Sequence, residues 1–367
     1  MSRYLVTGGA GFIGRQVCRE LLEHGHEVRV LDAMIEQVHG GGESPDLGDV
    51  ELLRGDVRDA EKVRAGLAGV DGVVHLAAEV GVGQSMYEIE RYVSTNDVGT
   101  AVLLQEMIDQ PVDKIVVASS MSVYGEGRYR TPHGRVVDDA RRRPEQIKAG
   151  RFEILSDEGE PLEPVATDET KRTDLASIYA LTKYQQEQAV LIFGNAYQTD
   201  AVALRLFNVF GPGQALSNPY TGVLANFSSR IAAGQAPTIF EDGKQRRDFV
   251  HVNDVARAFR LALEKPEAKG ETINVGSGRS YSVTEVAEKV AEAMGSDIKP
   301  EITGRARSGD IRNCFADISK ARRLLGFEPE RRLEDSLGEL AEWVASQAVT
   351  DRNAEMRRHL EARGLVA

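Results

Sequence analysis

Tyr179 and Lys183 stand four positions apart in "SIYALTK", residues 177–183. On a helix this spacing puts both side chains on one face. A phenol beside an ammonium can move a proton when a substrate is held against it; without one it is an ordinary solvated helix face. Ser120 is a third candidate, at the end of the apolar run "KIVVASS" (114–120). If that run is a parallel strand, its carboxyl end is where open α/β sheets bind ligands. Ser120 would there orient or share the proton of a substrate hydroxyl, with Ser122 two residues on.

"LVTGGAGFIG" carries a different chemistry. Gly9, Gly11 and Gly14 satisfy G-x-G-x-x-G, and Gly8, Gly11 and Gly14 recur every third residue. Such glycines permit a tight turn, close backbone approach to a pyrophosphate and tight helix-on-strand packing, while free amides at the helix start face the negative charge. Phe12, Ile13 and Gly14 open that helix. Asp32 closes the second apolar run eighteen residues beyond Gly14, placed to accept hydrogen bonds from ribose hydroxyls and to repel a 2′-phosphate. Ala33, Met34 and Ile35 follow it, with no adjacent arginine, so NAD is expected over NADP. Asp56, in "GDV" before Val57, is either an adenine contact or a turn aspartate. Beside a dinucleotide, Lys183 could bond the nicotinamide ribose, and its charge together with the cationic ring would favour the Tyr179 phenolate.

These residues need a scaffold, and the sequence supplies a pattern for one. "RYLVTG" (3–8), "EVRVLD" (27–32), "VELLRGD" (50–56), "GVVHLAA" (72–78), "KIVVASS" and "AVALRLFNV" (201–209) are nearly continuous apolar runs, as parallel strands buried on both faces require. Helical spacing in "GRQVCRELLEHG" and "VGTAVLLQEMIDQ" alternates with them. The expected fold class is therefore α/β: a Rossmann-type doubly wound parallel sheet with a smaller, interleaved C-terminal substrate-binding lobe. Residues 1–210 form the dinucleotide half and 211–348 mainly the second lobe, with a helix near 282–295. The tail 349–367 is an exposed helix or a frayed end. Residues 126–172 are polar, charged and longer than a usual loop, and read as an ordered flap near the site rather than a disordered insertion.

Composition excludes other classes. The 367 residues are 41% hydrophobic with a net charge of −12, against general nucleic-acid binding. No apolar run has membrane-span length, and the chain enters a strand directly, so a cytoplasmic protein is expected. Two cysteines, Cys18 and Cys314, make neither a disulfide framework nor a zinc site; Cys18 reads as a core residue and no metal is expected. His133, alone in the insertion, reads as a surface residue.

From residue 3 to about 345 the chain resembles the extended short-chain dehydrogenase/reductases, and within them the NAD-dependent nucleotide-sugar epimerases and dehydratases. "TGGAGFIG", "GDV", "HLAA", "SSMSVYG", "YALTK", "LRLFNVFGPGQ" and "RRDFVHVNDVA" carry the resemblance, in that order. It implies that Leu76, Ala77 and Ala78 line the cofactor, that Asn96 lies nearby, and that Ser120, Tyr179 and Lys183 form the catalytic set. It implies nucleotide-sugar contacts at Asn208, Arg247, Arg307 and Asp310; Arg246 leaves the choice of arginine open, and the usual "RPGD" is "RSGD" here. Dehydratases of the family carry an Asp-Glu pair after the catalytic Ser/Thr, where this chain has Met121 and Ser122, so loss of water is not expected. The Cys-Lys pair of 3,5-epimerases is also missing.

A 4-epimerase remains. Tyr179 takes the C4 hydroxyl proton as the C4 hydrogen leaves as hydride, the 4-keto sugar turns over, and hydride returns to the opposite face. "EQVHGG", "VGVGQSMYEIERYV" and "GQALSNPYTGV" resemble a subgroup acting on dTDP-L-rhamnose and dTDP-6-deoxy-L-talose, whose zinc-ribbon-like cysteine pairs are absent from residues 126–172. A 4-keto-sugar reductase, or an epimerase of UDP-hexoses or UDP-uronates, would use the same residues; a non-catalytic dinucleotide sensor would not need the tyrosine. The partner is a dTDP- or UDP-sugar, and the family's mode of assembly implies a homodimer through helices near 98–109 and 178–193.

Overall fold

The computed structural model of the chain describes residues 1–39, 47–216, 222–307, 310–347, 358–359 and 361–364. Seven strands, β1 (Arg3–Thr7), β2 (Glu27–Asp32), β3 (Glu51–Arg54), β4 (Gly72–His75), β5 (Lys114–Ser120), β6 (Asp200–Leu206) and β7 (Thr272–Val275), pair in parallel in the order β7-β6-β5-β4-β1-β2-β3. The direction of winding reverses between β1 and β4. That junction is the switch point at which open sheets leave a crevice.

Helices cover both faces: α1 (Phe12–Glu23), α2 (Ala60–Leu67), α3 (Gly99–Asp109), α4 (Ile178–Tyr197), α5 (Val223–Ala232), α6 (Val252–Glu264), α7 (Val283–Ala293) and α8 (Leu333–Ala345). The two-residue period of a strand decides which helix each side chain meets. Ile115 and Val117 of β5 pack with Leu103 and Met107 of α3 and Val190 of α4. Val116 and Ala118 face Val17, Cys18 and Leu21 of α1 and Val255 and Phe259 of α6. Cys18 is thus core, and burial pushes its thiol up to about 12.

The expected strand 201–209 is divided. β6 ends at Leu206, and Asn208–Phe210 pairs instead with Phe249–His251. The change takes one residue: Phe207 N donates to Val275 O, and Asn208 N to Asp248 O. The second lobe begins there, with Phe227 and Ile231 of α5, Val286 and Val290 of α7 and Leu337 and Leu340 of α8 in its core. β7 then returns to the main sheet, so the lobes interleave.

Residues 126–172 hold a three-stranded antiparallel sheet, Arg128–Arg130 between Val136–Val137 and Glu163–Val165. Tyr129, Ala140, Ile154 and Leu162 form its small core. His133 stands exposed beside it. Most of the tail, and the Ser308-Gly309 step of "RSGD", lie outside the described residues. Among the described residues no helix is long and apolar enough to cross a membrane.

Candidate active site

One cavity of about 900 Å³ runs from the switch point into the second lobe. Its floor is the glycine turn between β1 and α1. Gly8 has φ +69°, and a Cβ there would lie 2.8 Å from Ala77 N after β4, so the two strand ends nearly touch. A Cβ on Gly14 would meet Gly8 O at 2.4 Å, whereas one on Gly11 would meet only Gly8 O at 3.3 Å. Gly14 therefore serves packing, and Gly11 leaves the turn bare toward the cavity. Phe12, Ile13, Leu76, Ala77 and Ala78 line the same end.

Asp32 is almost buried at the end of β2. It accepts from Ala10 N at 3.0 Å and Met34 N at 2.8 Å, with His39 Nε2 3.3 Å away. The carboxylate is thereby fixed at the cavity edge, and a missed neighbour, His39, lines the cavity with it. Asp56 and Val57 reach the wall too. Both Asp56 oxygens are taken by Arg58, which holds its carboxyl below the usual range.

The catalytic candidates meet where β5 ends and α4 begins. Ser177 caps α4 by accepting from Ala180 N at 3.1 Å, and Ser85 Oγ accepts from Tyr179 N at 3.0 Å. Two amides left over by the first turn are so satisfied, and Tyr179 is fixed in the first turn with Lys183 on the next. Ser120 Oγ accepts from Ser122 N at 3.2 Å and from Ser122 Oγ at 3.0 Å. With its acceptor sites filled, Ser120 has its own proton left to give, and its hydroxyl pulls the Tyr179 phenol's pKa down.

Burial has the larger effect on Tyr179 and holds its phenol above the ordinary value. The expected lowering by Lys183 is not made in the protein alone. Lys183 is buried, desolvation takes its pKa down to about 7, and Glu187 and Asp97 pull it back up. Its Nζ gives one bond, to Gln186 Oε1 at 2.7 Å. The ammonium lines the cavity with two further N–H donors, which suits a ribose diol.

Behind Lys183 lies a polar network that the sequence did not signal. Gln186 Nε2 donates to Thr100 Oγ1 at 2.9 Å, and His75 bridges Thr7 and Thr100 at 2.7 and 2.9 Å. Burial, then Lys183, lowers the His75 imidazole to about 3. A polar residue at 186, on the buried face seven positions from Tyr179, was the available clue. Asn96 is also behind the wall, not on it. Its amide accepts from Glu79 N at 2.7 Å and donates to Thr182 Oγ1 at 2.9 Å, and Thr95 faces the cavity instead.

The far end is formed by the second lobe. Asn208 lines it while donating to Asp248 O at 2.8 Å. Arg247 also lines it, its guanidinium held by Ile311 O at 2.6 Å and Arg312 O at 2.9 Å. Arg246 turns away to Ser280. Arg307 donates to Asp310 Oδ2 at 2.8 Å and lies 4.5 Å over the Phe240 ring. An elongated polar molecule fits, with a bare backbone turn at one end and arginines at the other.

The comparisons agree with this geometry. The model of the NAD dependent epimerase/dehydratase family matches residues 4–146 and 153–276. A dTDP-L-rhamnose 4-epimerase of Burkholderia thailandensis is 34% identical over 351 residues, 94% of this chain and 95% of the relative. The crystal structure of a UDP-glucose 4-epimerase with UDP-glucose from Thermotoga maritima superposes with a TM-score of 0.75 at 30% identity, covering 94% of this chain and 98% of that one. A Thermus thermophilus UDP-glucose 4-epimerase in complex with NAD gives 0.75 at 29%, with 94% and 100% covered.

Proposed function

Because the chain belongs to the NAD dependent epimerase/dehydratase family, we propose that it inverts C4 of a nucleotide sugar, with dTDP-L-rhamnose and dTDP-6-deoxy-L-talose as the interconverted pair. The observation that carries this is that Ser120, held by Ser122, lines one continuous cavity together with Tyr179 and Lys183. The glycine turn, Asp32 and Lys183 would hold NAD. When bound, NAD supplies the acceptor for the sugar's C4 hydrogen and afterwards its donor.

The chain's own residues handle protons and position. Tyr179 accepts the 4-hydroxyl proton and later returns it, while Ser120 steadies the oxygen as its charge changes. Met121 and Ser122 stand where elimination would need a carboxylic acid. Val82, Met86 and Met121 give the middle of the cavity an apolar wall. Such a wall suits the methyl group of a 6-deoxy sugar and makes few bonds that would stop a 4-keto ring from turning over. Asn208, Arg247 and Arg307 grip the diphosphate, with arginine forks matched to phosphate, and Asp310 serves the nucleotide ribose.

Partly exposed Val98, Ile108 and Leu181 and the more exposed Ile192 lie on or beside α3 and α4, which pack together. This face supports a homodimer joined through four helices. A cytoplasmic location suits substrate and coenzyme, both charged phosphate esters. The test is incubation of the pure protein with dTDP-, UDP- and GDP-sugars, with products followed by NMR. The expected result is an equilibrium of C4 epimers from dTDP-L-rhamnose without net change at 340 nm. Stoichiometric NADH consumption by a 4-keto sugar, without epimers, would make it a reductase.

A further inference from the structure

Arg142 of the insertion reaches Asp310 at the nucleotide end of the cavity from behind. Arg142, 4% exposed, donates from Nη1 to Glu241 Oε1 at 2.5 Å and from Nη2 to Asp310 O at 2.7 Å. Glu241 has no exposed surface and a positive φ of 56°, unusual for a residue with a side chain. It follows Phe240, which carries Arg307 on its ring, and its backbone pairs with Gly304 and Arg305. Its other oxygen accepts from Arg312 Nη1 at 3.1 Å, and Arg312 in turn is held by Glu153 of the insertion at 2.6 Å.

One guanidinium therefore joins Glu241, which follows the cavity-lining Phe240, to Asp310, which lines the cavity with Arg307. The Arg142 fork sets Asp310 relative to Glu241, adding to the Arg307–Phe240 contact and the Glu241 backbone bonds, and the buried Glu241 carboxylate keeps the fork in place. We propose that Arg142 is a positioning residue for nucleotide binding, and that the insertion exists to hold the nucleoside diphosphate clamp in register from behind. This rests on the reading that a nucleoside diphosphate occupies that end.

The test compares Arg142→Lys and Arg142→Met with wild type. Melting temperature, NAD content, kcat, KM for the nucleotide sugar and calorimetric Kd for dTDP and UDP are measured. A lysine can pair with Glu241 but cannot also reach Asp310 O. Arg142→Lys should melt near wild type and keep its NAD, while Kd and KM rise about tenfold or more and kcat stays within about twofold. Arg142→Met should lose both affinity and stability. In the wild type, added dTDP should slow amide exchange in 139–146 together with 239–242 and 305–307. Unchanged affinity in Arg142→Lys, a fall in kcat matching the rise in KM, or unprotected 139–146 would overturn the proposal. If wild type binds neither dTDP nor UDP, the nucleotide-sugar reading itself fails.

Discussion

Ser122 Oγ donates to Ser120 Oγ at 3.0 Å, and this short contact decides where the Ser120 proton points. With Ser122 occupying its lone pairs, Ser120 keeps its proton free to give, and its hydroxyl lowers the Tyr179 phenol. Ser120→Ala should lower kcat by roughly 10²-fold, the scale of one lost oxyanion donor. Ser122→Ala, which keeps the backbone bond, should cost less, about three- to tenfold. Steady-state kinetics with KM nearly constant would support this order; equal losses would refute it.

Tyr179→Phe removes the proposed base and little volume. Turnover should fall by about 10²–10⁴-fold, while calorimetric affinity for the nucleotide sugar stays near wild type. Retained turnover would remove Tyr179 from the reaction.

Gly11 and Gly14 should separate binding from folding. Alanine at 14 collides with Gly8 O and Gly9, which predicts about 1–3 kcal/mol of destabilisation and a melting point lower by roughly 1–4 °C. Alanine at 11 has room inside the protein, so Gly11→Ala should melt normally and lose affinity for NAD. Calorimetric melts with NAD titrations distinguish the two.

His75 gives a pH dependence of defined sign. Its imidazole titrates near 6.5 when unfolded but only at about 3 in the buried site. The folded state binds fewer protons in that window, so its contribution is intact above pH 6.5 and is lost as pH falls toward 3. Denaturant midpoints from pH 7.5 to 5 should fall less in His75→Gln than in wild type, and nitrogen NMR should find wild-type His75 neutral at pH 5.

Ile192, 66% exposed on α4, tests assembly. Ile192→Asp should convert a dimer to a monomer by light scattering with the fold intact. A wild-type monomer would refute the four-helix interface.

What could be read in advance follows from the range of the interactions. Six of the seven strands were legible because burial on both faces demands unbroken Val, Ile and Leu. The β1–α1 turn and Asp32 were legible because a dinucleotide needs glycine and carboxylate at fixed spacing. β7 was not read: "TINV" is four residues long and becomes a strand by pairing with β6, sixty-nine residues earlier at its Thr272–Ala203 contact. The insertion's core is only Tyr129, Ala140, Ile154 and Leu162, spread over a polar segment too thinly to make a period. Arg142 and Glu241 acquire their partners from distant segments, and no spacing rule announces them. Arg246 and Arg247 are adjacent in sequence, and the strand's alternation alone sends one to Ser280 and the other to the cavity.

The return of β7 to the main sheet has a practical consequence for anyone cutting the gene. A fragment ending at residue 210 would lack β7, leaving β6 as a bare apolar edge, and would lack α6, which covers α1 and β5. The expected product is an aggregate rather than a free coenzyme-binding half. Splitting this chain for a two-part reporter calls instead for an opening at an exposed turn such as Gly159, where both pieces can still meet across the finished sheet.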